Sequence, residues 1–209
     1  MSEPRNQATK IVRLTSDIFH WSVEDDRIKF RSEAYAIRPE GARSVLIDPL
    51  PLEEKLLDRL GKVEAICLTG ACHQRATWRY RKQFGARVFA PRGSAKLLEA
   101  PDVWYGPGED LPGGLKAVHA PGPTDAFYVF LRPAGAGTLF CSDVLIHDGK
   151  SLVFVPDEHL QDPRRTRETA RAFLDLRFGL LCFSHGAPLF ADPHAAVRSA
   201  LERDAAGRS

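Results

Sequence analysis

The sequence predicts an α/β fold, a four-layer α/β/β/α sandwich with two inner sheets and helices on both outer faces. Short apolar runs typical of strands alternate with helical patterns along the chain. Each half repeats one order, strands followed by a helix, a strand and a helix. At 209 residues the chain is long enough for one core. We therefore expect a single domain over residues 1–209, with residues 1–10 as a flexible leader.

The first half is predicted to open with antiparallel strands and to continue with buried ones. The candidate strands share β-branched and aromatic residues and lie at residues 11–14, 18–23, 29–38, 44–49, 63–68 and 88–91. One helix is predicted from the leucines that lead up to Gly61. A second is predicted from Ala76, Tyr80 and Phe84 at i, i+4 and i+8, and a brief third from Ser94 as its cap.

The second half is predicted to open with a meander after a loop rich in proline and glycine at residues 101–114. Its candidate strands lie at residues 115–119, 127–131, 138–141 and 180–183. Residues 147–162 are predicted to be irregular. The pair Asp162-Pro163 is typical of a helix start, and Gly179 would follow that helix. A C-terminal helix is predicted at about residues 192–202.

Composition excludes several classes of function. The 29 basic and 27 acidic residues give a net charge of +2, so charge gives no reason to expect nucleic acid or an anionic membrane as a partner. No apolar run approaches the roughly 20 residues that span a bilayer. The first residues lack the apolar stretch of a secretory signal. The four cysteines show no Cys-x-x-Cys spacing, which indicates reduced core thiols and a cytoplasmic protein.

The end of the buried strand at residues 63–68 is the predicted site. In α/β folds, ligand-binding and catalytic groups collect where a strand runs out into a loop. This strand ends in Thr69-Gly70, and the loop then carries Cys72, His73, Gln74 and Arg75 in succession. The sequence therefore predicts that the function of the protein depends on this loop.

Five local motifs follow one another in an order that resembles a known family. They are Val45-Leu46-Ile47-Asp48, Leu68-Thr69, Ala120-Pro121-Gly122-Pro123-Thr124, Leu139-Phe140-Cys141-Ser142-Asp143 and Phe183-Ser184-His185-Gly186. Together with the order of elements, they resemble the metallo-β-lactamase superfamily over about residues 15–202. The resemblance implies the sandwich fold. It also implies, in active members, two metal ions, usually zinc, that activate a water molecule.

Most of the metal ligands that the resemblance implies are missing. The family's His-x-His-x-Asp-His motif falls on residues 70–75, where Gly70, Cys72, Gln74 and Arg75 replace the four ligands and His73 takes a spacer position. A proline, residue 123, replaces the histidine of the third motif. Some members carry a related "T-N-x-x-H-x-R" loop, and residues 69–75 are similar to it. We therefore expect a member of a degenerate branch without the binuclear centre.

The ligand positions that remain define the first functional hypothesis, a hydrolase-like protein whose activity is weak, altered or absent. Its predicted catalytic residues are His185, Asp143 and His73, and its predicted substrate-binding residues are Arg75, Cys72 and Gln74. No cofactor is expected beyond at most one weakly bound divalent metal (zinc, iron or manganese) on Asp143, His185 and His73. The expected partner is a small molecule, with an anion as the candidate class, and a homodimer is the expected oligomer.

Two alternatives stay open at this stage. The first is a non-catalytic binding or regulatory protein that holds a small anion at Arg75 in the former active-site pocket. The second is a nucleophilic Cys72 activated by the neighbouring imidazole. His73 itself is predicted either to join Asp143 and His185 at a metal or to bond a backbone carbonyl. Asp48 is predicted to fasten its strand end by accepting backbone N–H groups.

Overall fold

The computed structural model describes residues 3–94 and 96–207. The chain folds into two compact units. The first unit runs up to Gly106 and includes Leu111–Gly113, and the second comprises Pro107–Asp110 and the chain from Gly114 onward.

The first unit contains a seven-stranded sheet in which neighbours in sequence are neighbours in space. Its strands are β1 (Val12–Arg13), β2 (Ile18–Asp25), β3 (Phe30–Ile37), β4 (Ser44–Ile47), β5 (Val63–Cys67), β6 (Arg87–Pro91) and β7 (Val103–Tyr105). Strands β1 to β4 pair antiparallel and β4 to β7 pair parallel. The parallel pairing places the carboxyl ends of β4 and β5 side by side, which fixes the position of the candidate site.

Helix α1 (Thr77–Phe84) covers part of this sheet and ends at Gly85, which has a left-handed φ of 64°. The buried Tyr80 hydroxyl accepts the Leu52 N–H (2.8 Å) and donates to the Leu50 carbonyl (3.1 Å), which ties the helix to the chain after β4. The helix predicted before Gly61 is a 3₁₀ helix, Glu54–Leu60. Residues 96–102 contain no helix, so the brief third helix predicted after Ser94 is wrong there, and residue 95 lies outside the described residues.

The segment before β1 belongs to the packed fold. Ala8 is 3% exposed, its N–H donates to the Pro51 carbonyl (2.9 Å), and its carbonyl accepts the Glu53 N–H (3.1 Å). Ile11 is equally buried. The prediction that residues 1–10 form a flexible leader is therefore wrong around Ala8, because a short bridge to Leu52 holds that residue in place. Residues 1 and 2 lie outside the described part of the chain.

The second unit contains a five-stranded sheet and a separate hairpin. The strands are β8 (Asp110–Leu111, of which only Asp110 belongs to the second unit), β9 (Leu115–His119), β10 (Tyr128–Arg132), β11 (Thr138–Ser142), β12 (Leu145–His147), β13 (Leu152–Phe154) and β14 (Leu180–Phe183). The sheet order is β14-β11-β10-β9-β8, and β12 pairs with β13. Strands β9, β10 and β11 form the predicted meander, while β14 joins β11 in parallel. The hairpin lies where the sequence predicted an irregular segment.

Two helices complete the second unit, α2 (Pro163–Ala172) and α3 (Pro193–Gly207). Asp162 caps α2 by accepting the Arg165 N–H at 2.9 Å, as the Asp-Pro pair predicts. Arg167 on α2 forms an ion pair with Asp204 on α3 at 2.9 Å, so the two helices are held together. Within residues 3–94 and 96–207, no helix is both long enough and apolar enough to cross a bilayer.

Candidate functional site

Three buried side chains meet at the adjacent ends of β4 and β5. Asp48 Oδ1 accepts the Thr69 N–H at 2.9 Å, which confirms that Asp48 fastens the strand end. Its Oδ2 lies 2.5 Å from Thr69 Oγ1 and 3.1 Å from His73 Nδ1, and Thr69 Oγ1 lies 2.8 Å from the same ring nitrogen. The carboxylate, the hydroxyl and the imidazole therefore form one closed hydrogen-bond triangle, which we call the strand-end cluster.

Gln74 uses both ends of its amide inside the first unit. Its Nε2 donates to the carbonyls of Ala71 (2.9 Å) and Lys96 (3.2 Å). Its Oε1 accepts the indole N–H of Trp78 (2.9 Å) and the Leu98 N–H (2.7 Å). A primary amide offers two donor hydrogens and two acceptor lone pairs, so these four contacts use the whole amide. Gln74 therefore fastens the segment around Leu98 to the start of α1.

Arg75 is directed into the protein. The residue is only 4% exposed, and its Nη1 donates to the backbone carbonyls of Glu33 (2.7 Å) and Asp48 (3.1 Å). The backbone at Arg75 has a φ of 39°, a left-handed value that is uncommon for a residue with a side chain. The guanidinium thus links β3 to the end of β4, and its predicted role in holding an anionic substrate stays a prediction.

Further buried charges surround this link. The Glu33 carboxylate, on β3, pairs with His20 Nε2 (2.5 Å) and Arg31 Nε (2.8 Å). Asp25 is fully buried and pairs with Arg27 at 2.5 Å. Burial alone would raise the pKa of Asp25, but hydrogen bonds from the Arg27 side chain and backbone, aided by the positive charge of Arg75, hold that pKa below its usual range.

The cysteines divide into buried thiols and one partly accessible thiol. Cys67, Cys141 and Cys182 are buried, whereas Cys72 is half-buried. Burial raises the pKa of the Cys67 and Cys141 thiols far above the usual range, and the nearby carboxylates of Asp48 and Asp143 respectively raise it further. These two cysteines are therefore inert core thiols, as the sequence predicted.

In the second unit, the parallel strands β11 and β14 end together and deliver Asp143 and His185. The imidazole Nε2 of His185 lies 3.5 Å from Asp143 Oδ1. The residues before them, Ser142 and Ser184, are also paired, with their hydroxyl oxygens 2.9 Å apart. The structure therefore brings together the two retained ligand positions that the sequence predicted to lie close in space.

Gly186 explains how the chain after β14 passes so close to β12. Its φ is 97°, and a Cβ built on it would lie 1.9 Å from the His147 carbonyl oxygen. The His147 N–H donates to the His185 carbonyl at 3.1 Å. Only glycine meets both requirements, the left-handed φ and the close approach, so the backbone beside His185 is fixed by its neighbour.

The loop that carries Pro123 packs on the start of α2. The Gly122 carbonyl accepts the Asp162 N–H (2.9 Å), and the Pro123 carbonyl accepts the Gln161 N–H (3.2 Å). Pro123 occupies the position of the histidine in the resembled motif, and its side chain has no donor or acceptor atom.

The sequence matches one family over most of its length. Residues 11–177 match the profile of the metallo-beta-lactamase superfamily. The chain belongs to the metallo-β-lactamase superfamily. Members of this superfamily usually depend on zinc, so the question is whether the residues of this chain can bind zinc. No protein of curated function matches the chain in sequence.

Solved structures of metallo-β-lactamases share the fold. The structure of DIM-1 metallo-β-lactamase exposed to ceftazidime is 13% identical, with 95% of this chain and 98% of that chain covered and a TM-score of 0.75. TMB-1 is 13% identical with 96% and 99% covered and a TM-score of 0.76. A metallo-β-lactamase from Hirschia baltica is 15% identical with 94% and 98% covered and a TM-score of 0.68. The predicted α/β metallo-β-lactamase fold is thereby confirmed.

The predicted site residues of this superfamily member fall into two groups. Cys72, His73, Gln74 and Arg75 lie in the first unit, and Asp143 and His185 lie in the second. That they line one pocket, and that His73 joins the other two at a metal, stay predictions.

Two partners of this site were not predicted from the sequence, the Thr69 hydroxyl and the Glu33 backbone carbonyl. The four-residue spacing between Thr69 and His73 is the signal that could have indicated the first of these contacts.

Proposed function

We propose that the chain is a hydrolase-like protein that does not assemble the binuclear zinc centre of its superfamily. Hydrolysis by this chain is weak or altered and depends on Asp143 and His185. The observation that carries the proposal is the use of Gln74 and Arg75 inside the first unit. Both stand at expected ligand positions. The whole amide of Gln74 is hydrogen-bonded to protein groups, and Nη1 of Arg75 donates to two backbone carbonyls.

The residues present do not fit a two-metal centre. Gly70 has no side chain, and Pro123 has no donor atom for a metal. Arg75 adds a fixed positive charge that would repel a divalent cation. Gln74 could reach a metal only by giving up hydrogen bonds inside the protein, each contributing about 0.5–1.5 kcal/mol. We therefore assign no reaction step to a metal pair.

The retained carboxylate and imidazole can support proton transfer. Asp143 Oδ1 faces Nε2 of His185 at 3.5 Å, a distance that shortens to a hydrogen bond with a small rotation of either side chain. A carboxylate in that place orients the ring and stabilises the imidazolium that forms when the ring accepts a proton. In this scheme His185 takes the proton of an attacking water through Nδ1, and Asp143 orients it.

The two alternatives are less well supported. Arg75 is only 4% exposed and its Nη1 already donates to two buried carbonyls, so an anion at Arg75 has to reach a buried guanidinium through its remaining N–H groups. The nucleophilic Cys72 has a half-buried thiol in its favour. The imidazole next to it in sequence, however, directs Nδ1 to Asp48 and Thr69.

Elemental analysis of protein purified without a histidine tag tests the first part of the proposal. We expect at most one equivalent of zinc, iron or manganese per chain after dialysis against zinc. Two equivalents that are retained would overturn the proposal, because they require ligands that we have assigned to internal contacts.

Hydrolysis assays test the second part. Esters, thioesters and lactones are the substrates to screen, with Asp143→Asn and His185→Gln as variants and His147→Gln as the matched control. His147 is a half-buried histidine of β12 in the same unit. We expect the two site variants to lose at least about 100-fold in kcat/KM while the control keeps its activity. Equal activity in all three, or no hydrolysis by the unmodified chain, would overturn the assignment to Asp143 and His185.

A further inference from the structure

We propose that Asp48 and Thr69 are positioning residues that hold His73 as the Nδ1–H tautomer, so that His73 accepts protons through Nε2. The assignment deepens the proposed function and rests on it for the reaction that His73 would serve. Its structural part stands on the strand-end cluster alone. Neither Asp48 nor Thr69 was assigned such a role by the motifs.

The hydroxyl of Thr69 fixes the direction of the hydrogen bonds. A threonine hydroxyl has one hydrogen, and an ionised carboxylate only accepts. At 2.5 Å from Asp48 Oδ2, Thr69 Oγ1 therefore donates its hydrogen to the carboxylate. Toward His73 Nδ1, 2.8 Å away, the same oxygen has only lone pairs to offer. The hydrogen in that contact must come from the imidazole, so Nδ1 is protonated.

A second contact leads to the same result independently. His73 Nδ1 also lies 3.1 Å from Asp48 Oδ2. Because the carboxylate cannot donate, this contact is favourable only when Nδ1 carries the hydrogen. Nδ1–H thus donates to two acceptors in a three-centre bond. The opposite tautomer would place a nitrogen lone pair against two oxygen atoms.

Burial makes this tautomer the stable one. Thr69, Asp48 and His73 are at most 4% exposed. Water therefore cannot replace a lost partner, and a buried polar group left without one costs about 1–3 kcal/mol. Asp48 reaches the cluster through a left-handed backbone with a φ of 44°, and the Thr69 N–H holds its other oxygen. Both carboxylate oxygens are thus fixed.

The chemical consequence concerns the other ring nitrogen. A neutral imidazole with its hydrogen on Nδ1 has its basic lone pair on Nε2. A carboxylate on the Nδ1 side raises the basicity of that lone pair and stabilises the imidazolium after proton transfer. Asp48 and Thr69 therefore act on the chemistry through His73 and touch no substrate themselves.

Nitrogen NMR of histidine-labelled protein tests the assignment without any substrate. A His73→Gln variant identifies the resonances of this ring among the seven histidines. At a pH where the ring is neutral, we expect the hydrogen on Nδ1 and the lone pair on Nε2. A hydrogen on Nε2, or a ring that is doubly protonated at neutral pH, would overturn the inference.

Asp48→Asn is the sharpest variant, because it changes the donors and keeps the shape. The asparagine oxygen can still accept the Thr69 N–H, and its NH₂ group then faces Thr69 Oγ1 and His73 Nδ1. A donor at that position requires a lone pair on Nδ1, so we expect the tautomer to switch. Thr69→Ser keeps the hydroxyl and should keep the wild-type tautomer. A switch in the serine variant, or none in Asp48→Asn, would overturn the role of the cluster.

A second variant covers the case in which Asp48→Asn does not fold. Thr69→Val removes the hydroxyl and keeps the branched shape, which leaves Nδ1 with one acceptor in place of two. Because Asp48 Oδ2 remains within 3.1 Å of Nδ1 and cannot donate, we expect His73 to keep the Nδ1–H tautomer, and a measurable fraction of Nε2–H would contradict the role of Asp48.

The two proposals fail in different ways. A chain without hydrolysis but with the expected tautomers contradicts the proposed function alone, and an active chain with the wrong tautomer contradicts only this inference.

Discussion

Replacement of Arg75 by methionine separates a structural role of this residue from a role in ligand binding. Methionine keeps the apolar stem of arginine and removes every donor. In the structure, two carbonyl oxygens, those of Glu33 and Asp48, would lose the Nη1 hydrogen bonds of 2.7 and 3.1 Å. Both carbonyls belong to strands or strand ends that support the candidate site, so the substitution should destabilise the first unit.

The size of the effect follows from burial. A hydrogen bond to a charged group contributes about 1.5–3 kcal/mol, so the two bonds together contribute about 3–6 kcal/mol. The residue is 4% exposed, which leaves little screening by solvent. We therefore expect the free energy of unfolding to fall by at least about 3 kcal/mol, a large fraction of the 5–15 kcal/mol typical of a domain.

Urea unfolding followed by tryptophan fluorescence measures this change, since Trp21 and Trp78 lie in the core of the same unit. The matched control is Arg164→Met, because the Arg164 side chain is 89% exposed and forms one i,i+4 ion pair. The control should change the free energy by less than about 0.5 kcal/mol. A loss below about 1 kcal/mol for Arg75→Met would refute the structural role. Protection of the wild type alone by inorganic phosphate would instead favour anion binding at Arg75.

Three further outcomes are expected. The interactions that lower the pKa of Asp25 stabilise the fold above the unfolded-state pKa of about 3.9, and this contribution is lost as the pH falls through the lower folded-state pKa. As the pH is lowered below about 4, the free energy of unfolding of Asp25→Asn should therefore fall less than that of the wild type. An equal acid response in both chains would contradict this. Gly186→Ala should lower the free energy of unfolding by at least about 2 kcal/mol, because the new Cβ would overlap the His147 carbonyl. Gly149→Ala is the control and should lower it less, because Gly149 has a similar φ but open space around it. Melting temperatures of the two variants measure the difference. A thiol-alkylating reagent should modify Cys72 first in the folded chain, as measured by mass spectrometry. Equal labelling of all four cysteines would contradict this.

Local patterns were enough to predict most of the fold. Buried strands such as β5 and β14 are apolar runs bounded by glycine or polar residues, and that signal lies within a few consecutive residues. The start of α2 at Asp162-Pro163 is equally local. The short segment before β1 was misjudged because its few apolar residues show no periodicity. Its order comes from Leu52 and its neighbours, some forty residues away in the chain.

The site was predictable in position and only partly in detail. The order of motifs identified Asp48, Asp143 and His185, and the structure pairs the last two. The contacts of Arg75 could not be predicted, because its two acceptors are backbone carbonyls 42 and 27 residues earlier in the chain. A carbonyl is present at every position, so the sequence holds no signal for which one a long side chain will reach.

The packing of Ala8 has a practical consequence for how the protein is produced. The family match begins at residue 11, and a chain trimmed to that boundary would lose the partner of the Pro51 carbonyl and the Glu53 N–H. It would also uncover Leu52, which Ala8 pairs with and which is almost fully buried. Exposed apolar surface beside unpaired backbone groups is a common origin of aggregation. Inclusion bodies from such a trimmed chain would therefore reflect the missing residues, and the full N-terminal segment is the sound starting point for expression.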